Sequence, residues 1–406
     1  MATPIFRFKG FTGDWEQRKF SEFTWMAGTR NKENLDLEPY SITNVDGFVK
    51  QSEAHDEFGY MKNTDRSAYN IVKSNSFAYN PARINVGSIG YYDGADDVIV
   101  SSLYEVFKTA DYVDDGFLWQ WFMSEEFPKW IEKLQEGSVR QYFYYDKLSE
   151  CQMHMPSIEE QRRIATALYK LDNLITLHQR KCDALKDLKK GMLQKMFPRE
   201  GFLVPEFRFK GFTGDWEKRK LGEITTKIGS GKTPRGGSEA YVDDGIPLIR
   251  SQNVHDDLVD LSDVVYIDEE TNKSMENSLV ECNDVLLNIT GASIGRSAVY
   301  KGSESVNVNQ HVCIIRPTED YSSDFIQMNL ASNNGQKQID SSQAGGAREG
   351  LNFQQIGKME FAFPSIDEQK RIGTYFSNLN NLITLHQRKC DALKDLKKGM
   401  LQKMFV

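Results

Sequence analysis

A glycine-rich basic segment in the second half of the chain carries side chains suited to contacting nucleic acid. Residues 227–237 contain four glycines, with Lys232, Thr233 and Arg235 among them. Glycine lets a backbone approach a ligand closely, while lysine and arginine bind phosphate or the acceptor atoms of guanine. The segment is not a nucleotide-binding P-loop, because that motif requires a glycine further upstream, where residues 225–228 have none. We interpret it as a flexible DNA-contacting loop, with an ordinary solvated surface loop as the equally weighted alternative.

Similar side chains occur in other segments of both halves. Arginine suits guanine, asparagine and glutamine suit adenine, and serine or threonine can bond to several bases. The second half contributes further candidate DNA-binding residues, which are Arg250, Ser251, Asn253, Arg296, Gln310 and Arg348. The first half contributes the basic candidates Arg30, Lys32, Arg83 and Arg140. Corresponding segments of the two halves differ in sequence, as expected of two domains that read different bases.

Motifs that would indicate catalysis are incomplete or absent from the sequence. The segment that starts at Asn80 begins like the N-P-P-[FY] motif of adenine methylases, but it lacks the second proline and the aromatic residue that stacks on a flipped base. A glycine fingerprint for a methyl donor, Walker motifs, clustered carboxylates and the G-x-S-x-G and H-E-x-x-H motifs are not found. We therefore predict no catalytic residues, no metal site and no cofactor bound by this chain.

The composition is that of a globular protein with more than one domain. The chain has 406 residues, beyond the length at which one hydrophobic core usually keeps growing, and 39% of them are hydrophobic. Five cysteines without a C-x-x-C pair favour a reducing compartment over a disulfide framework or a zinc site. No apolar run suggests a signal peptide or a membrane span. The sequence thus predicts a cytoplasmic protein.

The formal net charge of −8 counts against a DNA-binding role, because phosphate contact usually leaves a basic surface. The total conceals local differences, since residues 180–195 contain six basic and two acidic side chains. A partner protein can also supply part of the phosphate contact. The charge keeps a second hypothesis open, in which the chain is a non-enzymatic scaffold whose duplicated domains on a coiled coil bind other proteins.

The chain contains two identical internal repeats. Residues 6–16 recur unchanged as 207–217, and residues 174–197 recur unchanged as 382–405. Identity over 24 residues excludes chance, and the dissimilar sequences in between indicate two diverged copies of one module. The predicted parts are a first variable domain at 1–155, a first helix at 156–198, a second variable domain at 199–363 and a second helix at 364–406.

The longer repeat belongs to two long helices. Each begins with a serine, Ser157 or Ser365, followed three residues later by Glu160 or Glu368, a spacing that predicts a capping box. Apolar residues spaced alternately four and three apart continue for three heptads and predict a coiled-coil seam. The seam residues are Ile164, Leu168, Leu171, Ile175, His178, Cys182 and Leu185 in the first helix and Ile372, Phe376, Leu379, Ile383, His386, Cys390 and Leu393 in the second.

These helices are predicted to pair antiparallel about a pseudo-two-fold axis. His178 and His386 either face each other at the crossing or pack as half-buried rings, and the sequence does not separate these arrangements. A second apolar edge, with Leu174 in one helix and Leu382 in the other, predicts a further partner. The expected fold is α+β, with two mixed α/β domains separated by a two-helix coiled coil that acts as a ruler.

The order of a variable domain, a P-x-x-[ED]-Q-x-x-I helix start and an L-K-K-G-[ML]-x-Q-K-M helix end, given twice, resembles the specificity subunit of type I restriction-modification systems. The run at 230–234 and residues 309–310 also resemble the target-recognition domain of that family. The first variable domain lacks a matching run near 27–30. The motif residues are Pro156, Glu160, Gln161, Ile164 and 189–194 in the first copy and Pro364, Glu368, Gln369, Ile372 and 397–402 in the second.

The resemblance implies that each variable domain is a target-recognition domain that reads one half of a split double-stranded DNA target through the major groove. It implies that the helices set the spacing between the halves and dock two methylase subunits, which use S-adenosylmethionine to modify adenine. A restriction subunit that uses ATP and Mg for translocation and cleavage joins them. The chain itself would then be a non-catalytic subunit.

Overall fold

The structure is a computed structural model that describes residues 3–44, 47–54, 65–134, 142–343 and 350–405. The chain divides into two compact units, one formed by 1–178 with 388–406 and the other by 179–387. Each unit contains one variable domain and parts of both long helices. The predicted α+β class with an internal repeat is confirmed.

The strands of the first unit form two main sheets. They are β1 (Glu16–Lys19), β2 (Thr24–Met26), β3 (Thr29–Arg30), β4 (Pro39–Thr43), β5 (Gly47–Lys50), β6 (Asn70–Val72), β7 (Ser76–Tyr79), β8 (Ile89–Tyr92), β9 (Val98–Val100), β10 (Glu105–Thr109) and β11 (Gln152–Met155). One sheet has the order β2-β10-β7-β8 and the other β3-β6-β9-β4-β5, in which β4 and β9 are parallel. Strands β1 and β11 form a separate antiparallel pair next to the helix start.

Aromatic side chains fill the core of the first unit. Its helices are α1 (Phe20–Phe23), α2 (Gln51–Ala54), α3 (Asp115–Phe122), α4 (Glu126–Leu134), α5 (Tyr145–Glu150) and the beginning of α6 (Ile158–Lys195). Phe77 and Phe107 stack on neighbouring strands with ring centroids 5.1 Å apart, and both are fully buried. Phe405, from the C-terminal end of the chain, packs against Phe117 at 5.3 Å. The last turn of the chain is therefore part of this core.

The second unit repeats this arrangement with additional strands. Its strands are β12 (Glu217–Lys220), β13 (Thr225–Ser230), β14 (Tyr241–Val242), β15 (Ile246–Ile249), β16 (Val254–His255), β17 (Leu258–Val259), β18 (Val265–Ile267), β19 (Leu279–Val280), β20 (Val285–Asn288), β21 (Ser297–Val299), β22 (Val306–Val308), β23 (Val312–Pro317) and β24 (Glu360–Phe363). Its shorter helices are α7 (Glu269–Ser274), α8 (Ser323–Ala331), α9 (Asn333–Gln343) and α10 (Phe353–Lys358).

Strand order shows that the two domains share one frame. The sheet β13-β23-β20-β21 matches β2-β10-β7-β8, and the run β19-β22-β15-β18 matches β6-β9-β4-β5. The fifth strand of the larger sheet differs, because β3 lies beside β6 in the first domain whereas β14 lies beside β18 in the second. The common strands thus form a frame whose edges and loops have diverged.

The long helices α6 and α11 (Ile366–Met404) are antiparallel in each unit. In the first unit, the carbonyl oxygen of Ile175 lies 3.9 Å from Cys390 Sγ, and Asp172, further back in α6, accepts a hydrogen bond of 2.6 Å from Lys397. In the second, Cys182 Sγ lies 4.0 Å from the carbonyl oxygen of Ile383. Every predicted seam position is buried or half-buried, and the two histidines are half-buried. Whether His178 and His386 face each other stays a prediction.

The helix starts differ from the predicted capping box. Ser157 Oγ accepts a hydrogen bond of 3.4 Å from the backbone N–H of Glu160, as predicted, but the Glu160 carboxylate does not serve the cap. Arg7 binds it through Nε and Nη2 at 2.7 and 2.6 Å, and this hydrogen bonding raises the pKa of the guanidinium. Arg208 binds Glu368 in the same way at 2.6 and 2.6 Å. A buried carboxylate needs a charged partner, and the shorter repeat supplies it.

The glutamine that follows each of these glutamates ties the helix start to its domain. Gln161 donates to the carbonyl oxygen of Pro156 at 3.0 Å and accepts at 2.8 Å from the backbone N–H of Asp114, the residue that caps α3. Gln369 makes the corresponding bonds to Pro364 and Ser322 at 2.9 and 3.0 Å. The P-x-x-E-Q motif therefore attaches the start of each long helix to its variable domain.

The two repeats also contact each other at the far end of each helix. The backbone N–H of Phe207 donates to the carbonyl oxygen of Lys195 at 2.8 Å, and that of Phe6 donates to Lys403 at 2.9 Å. In the second unit these residues are near neighbours in sequence, whereas in the first they come from opposite ends of the chain. Each copy of the short repeat is thus paired with one copy of the helix end.

Candidate nucleic-acid interface

A polar cleft opens in the second domain where β20 ends. It has a volume of about 420 Å³, and it combines predicted and unpredicted residues. The lining residues are Ser251, Gln252, Thr290, Gly291, Ala292, Ser293, Arg296 and His311. Arg296 is exposed and forms no ion pair with another described residue. The cleft therefore presents a free cation together with hydroxyl and amide groups, which suits a polar anionic ligand.

Asn288 holds the two sides of this cleft together. Its side chain is fully buried and donates to the carbonyl oxygens of Ser251 at 2.8 Å and Val254 at 3.3 Å. The turn that follows needs positive φ at Gly291 (73°) and Gly295 (89°), a region that non-glycine residues rarely adopt. The cleft is thus fixed by the end of a core strand rather than by free loops.

The cleft floor is a hydrogen-bonded chain of side chains. Thr290 Oγ1 lies 2.6 Å from His311 Nδ1, and Gln310 Nε2 lies 2.9 Å from His311 Nε2. Asn309 Oδ1 accepts from the backbone N–H of His311 at 3.0 Å. Both imidazole nitrogens are therefore engaged inside the protein. Gln310, predicted to read bases, is half-buried in this network and supports the floor.

Asn253 is buried, contrary to its predicted DNA-binding role. Its side chain is buried, accepting from the backbone N–H of Arg250 at 3.0 Å and donating to the carbonyl oxygens of Asp260 and Asp263, both at 3.2 Å. These hydrogen bonds within the loop occupy the Asn253 amide, so it does not contact a base. Arg250 is half-buried, and its guanidinium lies 6.0 Å from the Tyr241 ring. Ser251 and Gln252 are the members of this loop that reach the cleft.

The glycine-rich segment is more ordered than a flexible loop. Gly229 lies within β13, and Gly231 packs so closely on Val308 that an added Cβ would lie 1.6 Å from its carbonyl oxygen. Only Gly236 and Gly237 lie in a turn with positive φ. Lys232, Thr233 and Arg235 are exposed, as their predicted role requires. Gly231, in the middle of this segment, is joined to the chain that forms the cleft floor, because its N–H donates to the carbonyl oxygen of Asn309 at 3.2 Å.

The first domain places its candidates at two locations. Arg83 is exposed in the loop that follows β7, the counterpart of β20. Arg30 lies in the edge strand β3, where it donates to the carbonyl oxygen of Ala68, and the exposed Lys32 follows. Arg140 and Arg348 lie outside the described residues.

A stacked tyrosine pair beside the Arg83 loop was not predicted, and of its two members Tyr142 is half-buried and Tyr144 exposed. Tyr142 and Tyr144 stack with ring centroids 5.5 Å apart, and the intervening Phe143 is buried. The Phe143 N–H donates to the carbonyl oxygen of Pro81 at 2.9 Å, which joins the pair to the loop that carries Arg83. The sequence signal that would have identified them is a run of three aromatic residues, because alternate residues of an extended segment point to opposite sides.

The described part of the chain lacks two other features, a metal-binding cluster and a membrane-spanning helix. No group of three or more histidine, cysteine, aspartate or glutamate residues there is arranged to hold a metal ion. Among the same residues, no helix combines the length and apolar character needed to cross a membrane.

Comparison with known proteins gives a consistent result. Residues 13–187 and 213–395 match the family described as type I restriction modification DNA specificity domain. The putative type I restriction enzyme MjaX specificity subunit of Methanocaldococcus jannaschii is 22% identical over 408 residues, which cover 96% of this chain and 92% of the relative. The MjaVIII specificity subunit of the same organism is also 22% identical, over 96% of this chain and 91% of the relative.

A solved structure shows the same fold over the full length. The crystal structure of a type I restriction-modification system S subunit from M. genitalium covers 100% of this chain and 99% of its own, with a TM-score of 0.66 at 17% identity. The duplicated frame and the twin helices described above are consistent with the two segments that match the family. The chain belongs to the type I restriction-modification DNA specificity family.

Proposed function

We propose that this chain is the sequence-specific DNA-recognition subunit of a type I restriction-modification complex and that its two domains read the two halves of a split target. The observation that carries this proposal is the shared frame with unlike loops. Equivalent strands β7 and β20 end in loops that carry Arg83 in one domain and the Arg296 cleft in the other. Two readers of different base sequences need this combination of constant support and variable surface.

In the second domain, the chemistry of the cleft fits base edges and phosphates. Arg296 supplies the fork of donors that guanine O6 and N7 accept. Gln252 donates one amide N–H to Asp263 Oδ2 at 3.1 Å, which leaves its second N–H and its carbonyl oxygen to pair with N7 and N6 of adenine. Lys232 and Arg235 follow Gly231, which is bonded to Asn309 next to the cleft floor, and they supply phosphate contacts. The net charge of −8 fits a division of labour in which partner subunits neutralise much of the DNA backbone.

The exposed leucines of the long helices fit two copies of a methylase subunit. In the first unit Leu174 and Leu177 are exposed, and in the second unit Leu382 and Leu385, their identical counterparts, are exposed too. Leucines on a helix surface favour burial against a partner. Because the two surfaces have the same sequence, a subunit that binds one also binds the other. This arrangement favours a ratio of two methylases to one recognition subunit.

Catalysis and cofactors belong to the partners in this proposal. Methylase subunits use S-adenosylmethionine, and ATP-dependent restriction and translocase subunits use ATP and Mg, while this chain binds none of them. The complex acts on DNA in the cytoplasm. The helix α6, with 38 residues, spans ~57 Å and acts as the spacer between the half-sites.

The test is to co-express the chain with a cognate methylase and to sequence the methylated DNA. We expect one two-part motif whose second half alone changes when residues 222–358 are exchanged for another recognition domain. Inserting one helical turn, about 5.4 Å, into both long helices is expected to lengthen the unspecified spacer. Methylation without a two-part motif that depends on this chain would reject the proposal and favour a protein-binding scaffold.

A further inference from the structure

One lysine of the twin helices has a different partner in each unit. Lys189 and Lys397 occupy the same position in identical segments, and their side chains are 15% and 16% exposed. In the first unit Lys397 binds Asp172 of the opposite helix at 2.6 Å. The residue that corresponds to Asp172 in α11 is the uncharged Asn380. In the second unit Lys189 instead forms an ion pair with Asp257 of the recognition domain.

Asp257 stands at the tip of the hairpin formed by β16 and β17. Residues 256–257 form its two-residue turn, and Asp257 has a φ of +66°, in the left-handed region. Glycine adopts this conformation at lower cost, but glycine has no carboxylate to offer a lysine. The Asp257 N–H also donates to the carbonyl oxygen of Ser297 in β21 at 3.0 Å. The hairpin tip is therefore held from two sides, by the helix and by the sheet.

The hairpin is continuous with one wall of the cleft. Ser251 and Gln252 line the cleft, and the first residue of the hairpin, Val254, comes two positions later. Asn253 joins the two ends of this segment, because its carbonyl oxygen accepts from the Asp260 N–H at 2.8 Å. A shift of the hairpin therefore strains the segment that carries Ser251 and Gln252, which Asn288 holds from the other side.

We propose that Lys189 is a positioning residue for reading the second half-site, acting through Asp257 and the hairpin β16–β17 on the cleft. This inference rests on the function proposed above. The ion pair is largely buried, so removing either partner leaves a desolvated charge and releases the hairpin tip. The long helix thereby controls the geometry of one recognition surface, whereas the equivalent lysine of its twin, Lys397, binds the opposite helix and forms no ion pair with a described residue of the first variable domain.

The experiment compares four variants of the full chain in complex with its methylase subunits. They are K189M, D257N, the double variant and the matched control K397M. Asparagine retains the tolerance of position 257 for positive φ and removes only the charge. Binding is measured on the methylated-motif sequence and on DNAs altered in the first or the second half. Hydrogen exchange of the amides at 254–259 is measured on the same complexes without DNA.

We expect K189M and D257N each to weaken binding about five- to tenfold and to reduce discrimination at the second half-site only. The double variant is expected to be no worse than either single variant, because both remove the same pair. The hairpin amides exchange faster in these variants and remain protected in K397M, which also leaves discrimination at the second half-site unchanged.

Three results would overturn the inference. One is a K189M complex that matches K397M in discrimination and hairpin exchange. Another is additive losses in the double variant. The third is a K189M complex whose binding constant depends less steeply on salt concentration, by about one phosphate contact, while the D257N complex keeps the wild-type slope. That result would identify Lys189 as a direct DNA contact. A wild-type complex without half-site discrimination would instead reject the proposed function itself.

Discussion

Below their loops, the two recognition domains keep the same structural details. Gly87 lies in the turn before β8 and Gly295 in the turn before β21, the matching edge strands of the four-stranded sheets, with φ values of 87° and 89°. Later in each domain Tyr92 donates to the carbonyl oxygen of Asp96 at 2.6 Å, and Tyr300 donates to that of Glu304 at 3.0 Å. These matched bonds fix the strand ends from which the loops start. A fixed support leaves the residues that face DNA free to change.

The domains differ in which connection has been enlarged. Strands β4 and β5 are joined by residues 44–46, whereas their counterparts β15 and β18 are joined by residues 250–264. The longer connection contributes Ser251 and Gln252 to the cleft of the second domain, and it also contains the hairpin β16–β17. The first domain lacks this element and instead has the stacked pair Tyr142 and Tyr144 beside Arg83, of which Tyr144 is exposed. One frame can therefore present quite different chemistry by lengthening different loops.

The largest expected effect comes from the two identical phenylalanines at the helix ends. Phe197 is buried in the core of the second unit and Phe405 in that of the first. Replacing either by alanine is expected to cost about 3–5 kcal/mol, because a cavity remains in a packed aromatic core. Hydrogen exchange read peptide by peptide measures the effect. F197A is expected to speed hydrogen exchange within residues 212–363, and F405A is expected to speed it within residues 3–134. Faster exchange in the opposite unit would contradict the assignment of each phenylalanine to its core.

The twin helices could be predicted from the sequence because their signal is local and repeated. A seam every three or four residues and 24 identical positions define both helices without any knowledge of distant contacts. The role of Glu160 could not be predicted in the same way. Its partner Arg7 lies 153 residues away, so the local pattern suggested a cap where the fold has a long-range ion pair.

The candidate interface was predicted less well, because the partners that orient its side chains are also distant in sequence. Arg296 and Ser251 were expected on the DNA-facing surface and do line one cleft, although Thr290 and Gln252 were not among the candidates. Asn253 was chosen by residue type, yet its direction depends on carbonyl groups seven and ten residues later. Side-chain direction in a loop follows from tertiary partners, which residue type alone does not indicate.

A smaller effect is expected from a matched pair of asparagines at the ends of β7 and β20. Replacing Asn288 by alanine is expected to cost about 2 kcal/mol, because two buried carbonyl oxygens lose their donor. Replacing Asn80 is expected to cost no more than about 1 kcal/mol, since its side chain accepts one bond, from the Ala82 N–H in an exposed turn. Urea unfolding of the two variants gives the comparison. Equal losses would show that the enlarged connection does not depend on Asn288.

A pair of arginines tests whether the domains read DNA independently. R296A is expected to weaken discrimination at the second half-site, and R83A at the first, each by about 1–3 kcal/mol if the arginine forms a base contact. Binding of the assembled complex to DNAs with single-base changes measures both effects. Loss spread evenly over all positions of a half-site would instead identify the arginine as a phosphate contact.

The smallest expected effect is the alkylation of a single cysteine, which lies in the second domain. Burial raises the pKa of the Cys151 and Cys313 thiols to about 12, and Cys182 and Cys390 are also buried, whereas Cys282 is exposed in the second domain. At pH 8, below the raised pKa values, Cys151 and Cys313 stay protonated, and a thiol reacts far more slowly than a thiolate. Iodoacetamide is therefore expected to add one label, at Cys282, with no change in unfolding or DNA binding. Mass spectrometry of peptides locates it. Early labelling of Cys151 would show that the core of the first domain opens more readily than its aromatic packing implies.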